Sequence, residues 1–80
     1  MEEIEVYITT YALCSGIIKT TGRKIRNESI CYDIFYYARK PDWHETLEEA
    51  IARAEQMRLE EIESLENKIK ELKKINFKVN

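Results

Sequence analysis

Between Thr46 and Ile75 the chain contains neither glycine nor proline, and its apolar residues recur at helical intervals. No other stretch constrains the fold as much. Thr46-Leu47-Glu48-Glu49 fits a capping box, in which the threonine oxygen accepts from the amide three residues on while the glutamate reaches back. A helix from Leu47 to Ile75 would extend ~43 Å at the standard rise per residue. A three-stranded sheet with strands of roughly eight to ten residues is shorter than that, so several turns are expected to project; the alternative is that the whole helix lies on a larger sheet.

The apolar pattern changes halfway along. Leu47, Ala50, Ile51 and Ala54 form a small-residue stripe suited to close packing on a sheet. Beyond Arg58, with Met57 and Leu59 on either side of it, Ile62, Leu65, Ile69 and Leu72 follow the 3-4-3 spacing of a coiled-coil seam. Leu59, Ile62, Leu65, Ile69 and Leu72 are therefore the expected oligomerisation residues. From Asp42 to Glu66 nine acids stand against two arginines, whereas from Asn67 onward five lysines stand against Glu71. That order complements the helix dipole. Parallel pairing of two such helices would set like charges together, so an antiparallel homodimer is expected. Glu49–Arg53 and Glu66–Lys70 are spaced for ordinary (i, i+4) pairs.

The first half reads as sheet. Ile4 to Thr9 alternates with period two and is rich in β-branched residues. Ala12 to Gly16 interrupts, strand chemistry resumes at Ile17, and Gly22 reads as a bulge within a longer second strand. Arg26-Asn27-Glu28 is the reversal, and a third strand is expected from Ser29 to Arg39, ended by Pro41. The expected fold is α+β: a three-stranded antiparallel meander over residues 1–41, then a helix over 46–75, in the order βββα. The alternation at Ile75-Asn76-Phe77-Lys78-Val79 would make a fourth strand if it pairs at all.

Eighty residues, 44% apolar and 35% charged, make one folded domain near the lower size limit for a self-sufficient core. A net charge of -2 implies no particular partner. The acidic start and the absence of a bilayer-length apolar run read as cytoplasmic. In that compartment Cys14 and Cys31 are expected to be reduced and buried. Cys14, Cys31 and His44 lack the paired spacing of a metal site, so neither a metal nor a cofactor is expected.

Two segments could carry binding chemistry. The corner Arg39-Lys40-Pro41-Asp42-Trp43-His44, preceded by Tyr37, joins cations and aromatic faces to a helix N-terminus. Such a set suits a nucleotide or another phosphate-bearing small ligand. The competing reading is that Trp43 pins the helix to the sheet while Arg39 and Lys40 are solvated. The second segment is basic: Lys19, Arg23, Lys24 and Arg26 lie in a stretch, Val6 to Asn27, that holds no acid. It could meet nucleic-acid phosphates, or protect an exposed strand edge. No nucleophile stands in a recognisable relation to His44, and no glycine-rich phosphate loop is present, so an enzyme is not expected.

Ile8-Thr9-Thr10-Tyr11-Ala12-Leu13, Gly16-Ile17-Ile18, Trp43-His44-Glu45-Thr46 and Glu49 to Arg58 together resemble a set of short proteins encoded by bacteriophages, prophages and their bacterial hosts. The resemblance covers most of the chain, with Thr20 to Glu28 its least similar part. It carries no activity. It implies a small protein in the cytoplasm of a bacterial host that binds rather than catalyses, such as an inhibitor of a host enzyme or defence protein.

Overall fold

A computed structural model describes residues 3–78. Five strands and two helices follow in order: β1 (Ile4–Ile8), α1 (Ala12–Ser15), β2 (Ile18–Ile25), β3 (Ser29–Tyr32), β4 (Tyr36–Arg39), β5 (Trp43–His44) and α2 (Leu47–Lys73). The fold is α+β with a long C-terminal helix, as expected, but the antiparallel sheet has five strands rather than three or four. Residues 75–78 add no strand, and Val79 lies outside the described residues.

The expected third strand is in fact a hairpin. Asp33 adopts φ 56, a left-handed conformation that Asp tolerates better than most residues. Asp33-Ile34-Phe35 is the loop, with Tyr32 paired to Tyr36 and Ile30 to Ala38. A three-residue loop preserves the parity of the alternation, so a continuous period-two pattern runs straight through it. Ile30, Tyr32, Tyr36 and Ala38 share a face, while Ile34 and Phe35 stand at the tip, 73% and 80% exposed.

Strand order is β4-β3-β2-β1-β5, which puts β4 and β5 at opposite edges of the sheet. In a flat sheet those edges would lie ~19 Å apart, four inter-strand spacings. Only Lys40, Pro41 and Asp42 connect them, and the step from Arg39 to Trp43 spans at most ~15 Å. The sheet must therefore curl. Two hydrogen bonds to one carbonyl hold the curl: Glu28 O accepts from the Trp43 indole Nε1 at 2.8 Å and from Lys40 N at 3.2 Å. Glu28 occupies the β2–β3 turn, where Asn27 and Glu28 both take positive φ, the mirror-image turn that suits tight hairpins.

Inside the curl, Val6, Ile8, Ile30, Tyr32, Ala38 and Trp43 form the core, with Ile4 and Ile18 packed against it. Gly22 lies mid-strand in β2, in continuous register with Ile4 on one side and Tyr32 on the other, so it makes no bulge. Its role is close approach. A Cβ there would come within 2.9 Å of both the Ile30 side chain and the Cys31 carbonyl.

The helix is capped as its sequence implies: Thr46 Oγ1 accepts from Glu49 N at 3.2 Å. Glu49 differs in detail, because its carboxylate accepts from the threonine hydroxyl at 3.1 Å. Arg53 does not pair with Glu49. It faces Asp42 at 3.6 Å instead, tying the helix to the β4–β5 corner. Ala50 is fully buried, and Arg53, Ala54 and Met57 are half-buried. Leu47 and Ile51, expected on the sheet, are instead exposed, because the packed face lies ~90° around the helix from them. From Arg58 onward every described residue is exposed. The radius of gyration is 18.1 Å, against ~12 Å for a compact chain of this length.

Candidate functional site

The strand–helix corner is built from side chains that satisfy one another. Trp43 shares the inner face of the sheet with Ile8, its pairing partner, and is buried. Lys40 Nζ lies 3.9 Å from the centroid of the indole and donates to Trp43 O at 2.9 Å. Both faces of an ordinary cation–aromatic site are thus present, but the cation sits on the ring itself. His44 points the other way, is buried, and shares a 3.2 Å hydrogen bond through Nε2 with the Thr9 hydroxyl. Burial lowers its pKa, and Lys40 and Arg53 push the same way, against Glu49 and Asp42. Tyr37 and Arg39 are exposed and alternate onto the opposite face from Ala38. Tyr37, Arg39, Lys40, Trp43 and His44, drawn from one short stretch of sequence, are thereby not gathered on one face of the sheet, and Trp43 and His44 are engaged internally.

The basic residues do not form one patch either. Lys19 pairs with Glu5 at 3.2 Å, which raises the lysine pKa, and Lys24 pairs with Glu45 at 2.9 Å, which lowers the glutamate pKa. Arg23 lines a polar hollow of about 190 Å³ with Glu3 and Asp33 among its neighbours. Arg26 lies exposed in the β2–β3 turn region. Each cation along this stretch except Arg26 thus has acidic company.

Two exposed apolar surfaces remain. One is the helix seam: Leu59, Ile62, Leu65, Ile69 and Leu72 are 45% to 61% exposed. Leu47 and Ile51 continue the same stripe toward the cap. The other is a groove of about 380 Å³ lined by Tyr11, Ile18, Thr20, Tyr32, Asp33 and Tyr36. Tyr32 and Tyr36 stack with centroids 5.7 Å apart, and burial raises the Tyr32 phenol pKa. Ile34 and Phe35 of the hairpin tip adjoin it in sequence. The groove is invisible to sequence reasoning because Tyr11 arrives from the turn between β1 and α1, where the alternation of the first strand has already ended. Only the shared parity of Tyr32 and Tyr36 hinted at it.

Compared with known proteins, the chain matches no protein family, no curated protein and no solved structure.

Among the described residues no three His, Cys, Asp or Glu gather where a metal ion could be held. No described helix is long and apolar enough to cross a membrane. Cys14 is exposed on α1 and Cys31 is half-buried on β3, and both are free thiols, so the expected burial fails for Cys14 and is only partial for Cys31. Cys14 lies on the short helix α1, which buries none of its residues.

Proposed function

We propose that this chain is a non-enzymatic interaction module that pairs with a second copy of itself through the distal half of α2. The observation that carries this reading is the seam itself: four large aliphatic side chains at coiled-coil spacing, with Leu59 beside them, on a helix segment whose described residues are all exposed. The aromatic groove and the Ile34–Phe35 tip form a second surface, where a different protein would dock. The resemblance to phage and prophage proteins makes a host enzyme or defence protein the partner to try first. Thr9 and His44 are the hydroxyl–imidazole contact among the described residues, and both are buried. That arrangement supports a structural rather than a catalytic role.

Light scattering coupled to gel filtration tests the reading. Self-association that rises with concentration and disappears in Leu65→Asp is the expected result. A monomer at every concentration examined would sink it. The nucleotide reading of the Arg39–His44 corner predicts a thermal shift with nucleotides that Arg39→Ala removes. The nucleic-acid reading predicts a salt-sensitive gel shift that Arg26→Ala weakens.

A further inference from the structure

The strand–helix corner and the aromatic groove share one chemistry and differ in one component. At the corner, Lys40 Nζ lies 3.9 Å from the centroid of the Trp43 ring, so the aromatic face already holds its cation. The groove has aromatic surface and a carboxylate, but among the described residues no cation lines it. Tyr11, Tyr32 and Tyr36 supply three phenol rings, Thr20 a hydroxyl and Ile18 an aliphatic side chain, and Asp33 is the charged residue of the lining. Asp33 takes part in none of the ion pairs among the described residues. Arg23 shares the neighbouring polar hollow with it, yet alternates onto the other face of β2 from Thr20 and Gly22 and stays beyond ion-pair distance.

Negative oxygen is concentrated at this place. Burial raises the Tyr32 phenol pKa first, and Tyr11, Tyr36 and Asp33 each raise it further. Two phenols and a carboxylate therefore stand close enough to Tyr32 to oppose its ionisation. A cation entering the groove would meet ring faces and a carboxylate together, the combination that attracts it most.

Resting on the reading of this groove as a docking surface, we infer that it receives an arginine side chain of the partner protein, stacked on the exposed tyrosine rings and paired with Asp33. Thr20, the three phenols and Asp33 all present oxygens that accept hydrogen bonds, and a guanidinium brings five N–H donors in one plane. The guanidinium also stacks on aromatic faces and is less strongly hydrated than an ammonium. A quaternary ammonium would satisfy the rings and none of the acceptors. Tyr32 and Tyr36 lie 5.7 Å apart at 23° and form a stacked platform, on which Tyr36 is exposed, as is Tyr11. Ile34 and Phe35, exposed at the adjoining hairpin tip, provide for apolar neighbours of the arginine. Tyrosine and arginine are among the residue types that most often dominate binding energy at interfaces.

Nuclear magnetic resonance titration of the full, isotopically labelled chain tests this. The probes are arginine, lysine, citrulline and leucine, each as its N-acetyl N-methylamide, together with choline. The arginine probe is expected to give saturable shifts centred on Tyr11, Thr20, Tyr32, Asp33 and Tyr36, and to bind more tightly than the lysine probe or choline. The citrulline probe, similar in shape but uncharged, should bind about tenfold more weakly, because it loses both the ring and the carboxylate attraction. Asp33→Asn and Tyr36→Leu should each weaken binding of the arginine probe about threefold. Asparagine tolerates the positive φ of Asp33, so the first substitution keeps the hairpin loop, and Tyr36 is exposed, so the second leaves the core intact.

Equal binding of the arginine and citrulline probes, or arginine shifts centred elsewhere on the chain, would overturn the inference. Tighter binding of choline or of the lysine probe in the groove would overturn it in favour of an ammonium ligand. Groove shifts with the leucine probe and none with the arginine probe would overturn the arginine alone and leave the docking surface standing. Groove shifts with no probe would overturn both. Self-pairing through α2 is decided separately, by the light scattering described above.

Discussion

The β-domain and the distal half of α2 use similar apolar residues to opposite ends. In the domain, Val6, Ile8 and Ile30 are fully enclosed, and single contacts such as the indole hydrogen bond to Glu28 O hold distant segments together. Along the distal helix, Leu59, Ile62, Leu65, Ile69 and Leu72 all stand exposed. A buried aliphatic that loses its place leaves a cavity and costs stability. An exposed one that is replaced costs the monomer almost nothing and changes only what can dock there. The same side-chain chemistry therefore reports on folding in one region and on association in the other.

That contrast can be broken most sharply at Trp43. Trp43→Ala removes the ring that fills the curl, its bond to Glu28 O and the stack with Lys40. A loss of about 3–5 kcal/mol is expected, enough to unfold much of a domain this small, measured by chemical denaturation with near-ultraviolet circular dichroism. Retention of a cooperative transition at the original midpoint would contradict the account of the curl.

Gly22→Ala comes next. The new methyl would press on fully buried Ile30 and on the Cys31 backbone, neither of which can swing away. Overpacking of this kind costs about 1–3 kcal/mol, readable as a lower denaturation midpoint with unchanged slope.

A smaller effect is expected from pH. Burial keeps the His44 imidazole neutral by lowering its pKa from the usual 6.5, so the unfolded chain binds the proton more readily than the folded one. The associated stability is complete above pH 6.5 and is lost as the pH falls below it toward the folded-state value. The melting temperature should fall by about 4 °C or less on acidification through that window. The fall should be absent in His44→Gln; an equal fall in that variant would place the titration elsewhere.

The smallest stability effect belongs to the seam. Leu65→Asp should change the unfolding free energy of the monomer by no more than about 0.5 kcal/mol, while eliminating concentration-dependent association. A large destabilisation would mean that the distal helix packs on its own domain after all.

Several features are legible without coordinates because they depend on neighbours a few residues away. The Thr46 cap, the uninterrupted helix, its reversal of charge and its half-way change of pattern are all of this kind. So are the alternation of Ile4 to Ile8 and the positioning of Ile30, Tyr32, Tyr36 and Ala38 on one face. The hairpin at Asp33 is hidden by the parity of its loop, and β5 is too short to show a period. The Arg39–His44 corner is divided because adjacent strand residues point to opposite faces, so proximity along the chain separates Trp43 from His44.

Local chemistry thus determined the long capped helix, its seam and the α+β class, since helical periodicity and capping act over one or two turns. Tertiary structure alone decided which side of the helix meets the sheet, how far the sheet curls, and which aromatics line a groove. Those depend on where Lys40, Pro41 and Asp42 force two sheet edges together, and on which carbonyl the Trp43 indole can then reach. Such contacts join residues fifteen or more positions apart, and no local pattern encodes them.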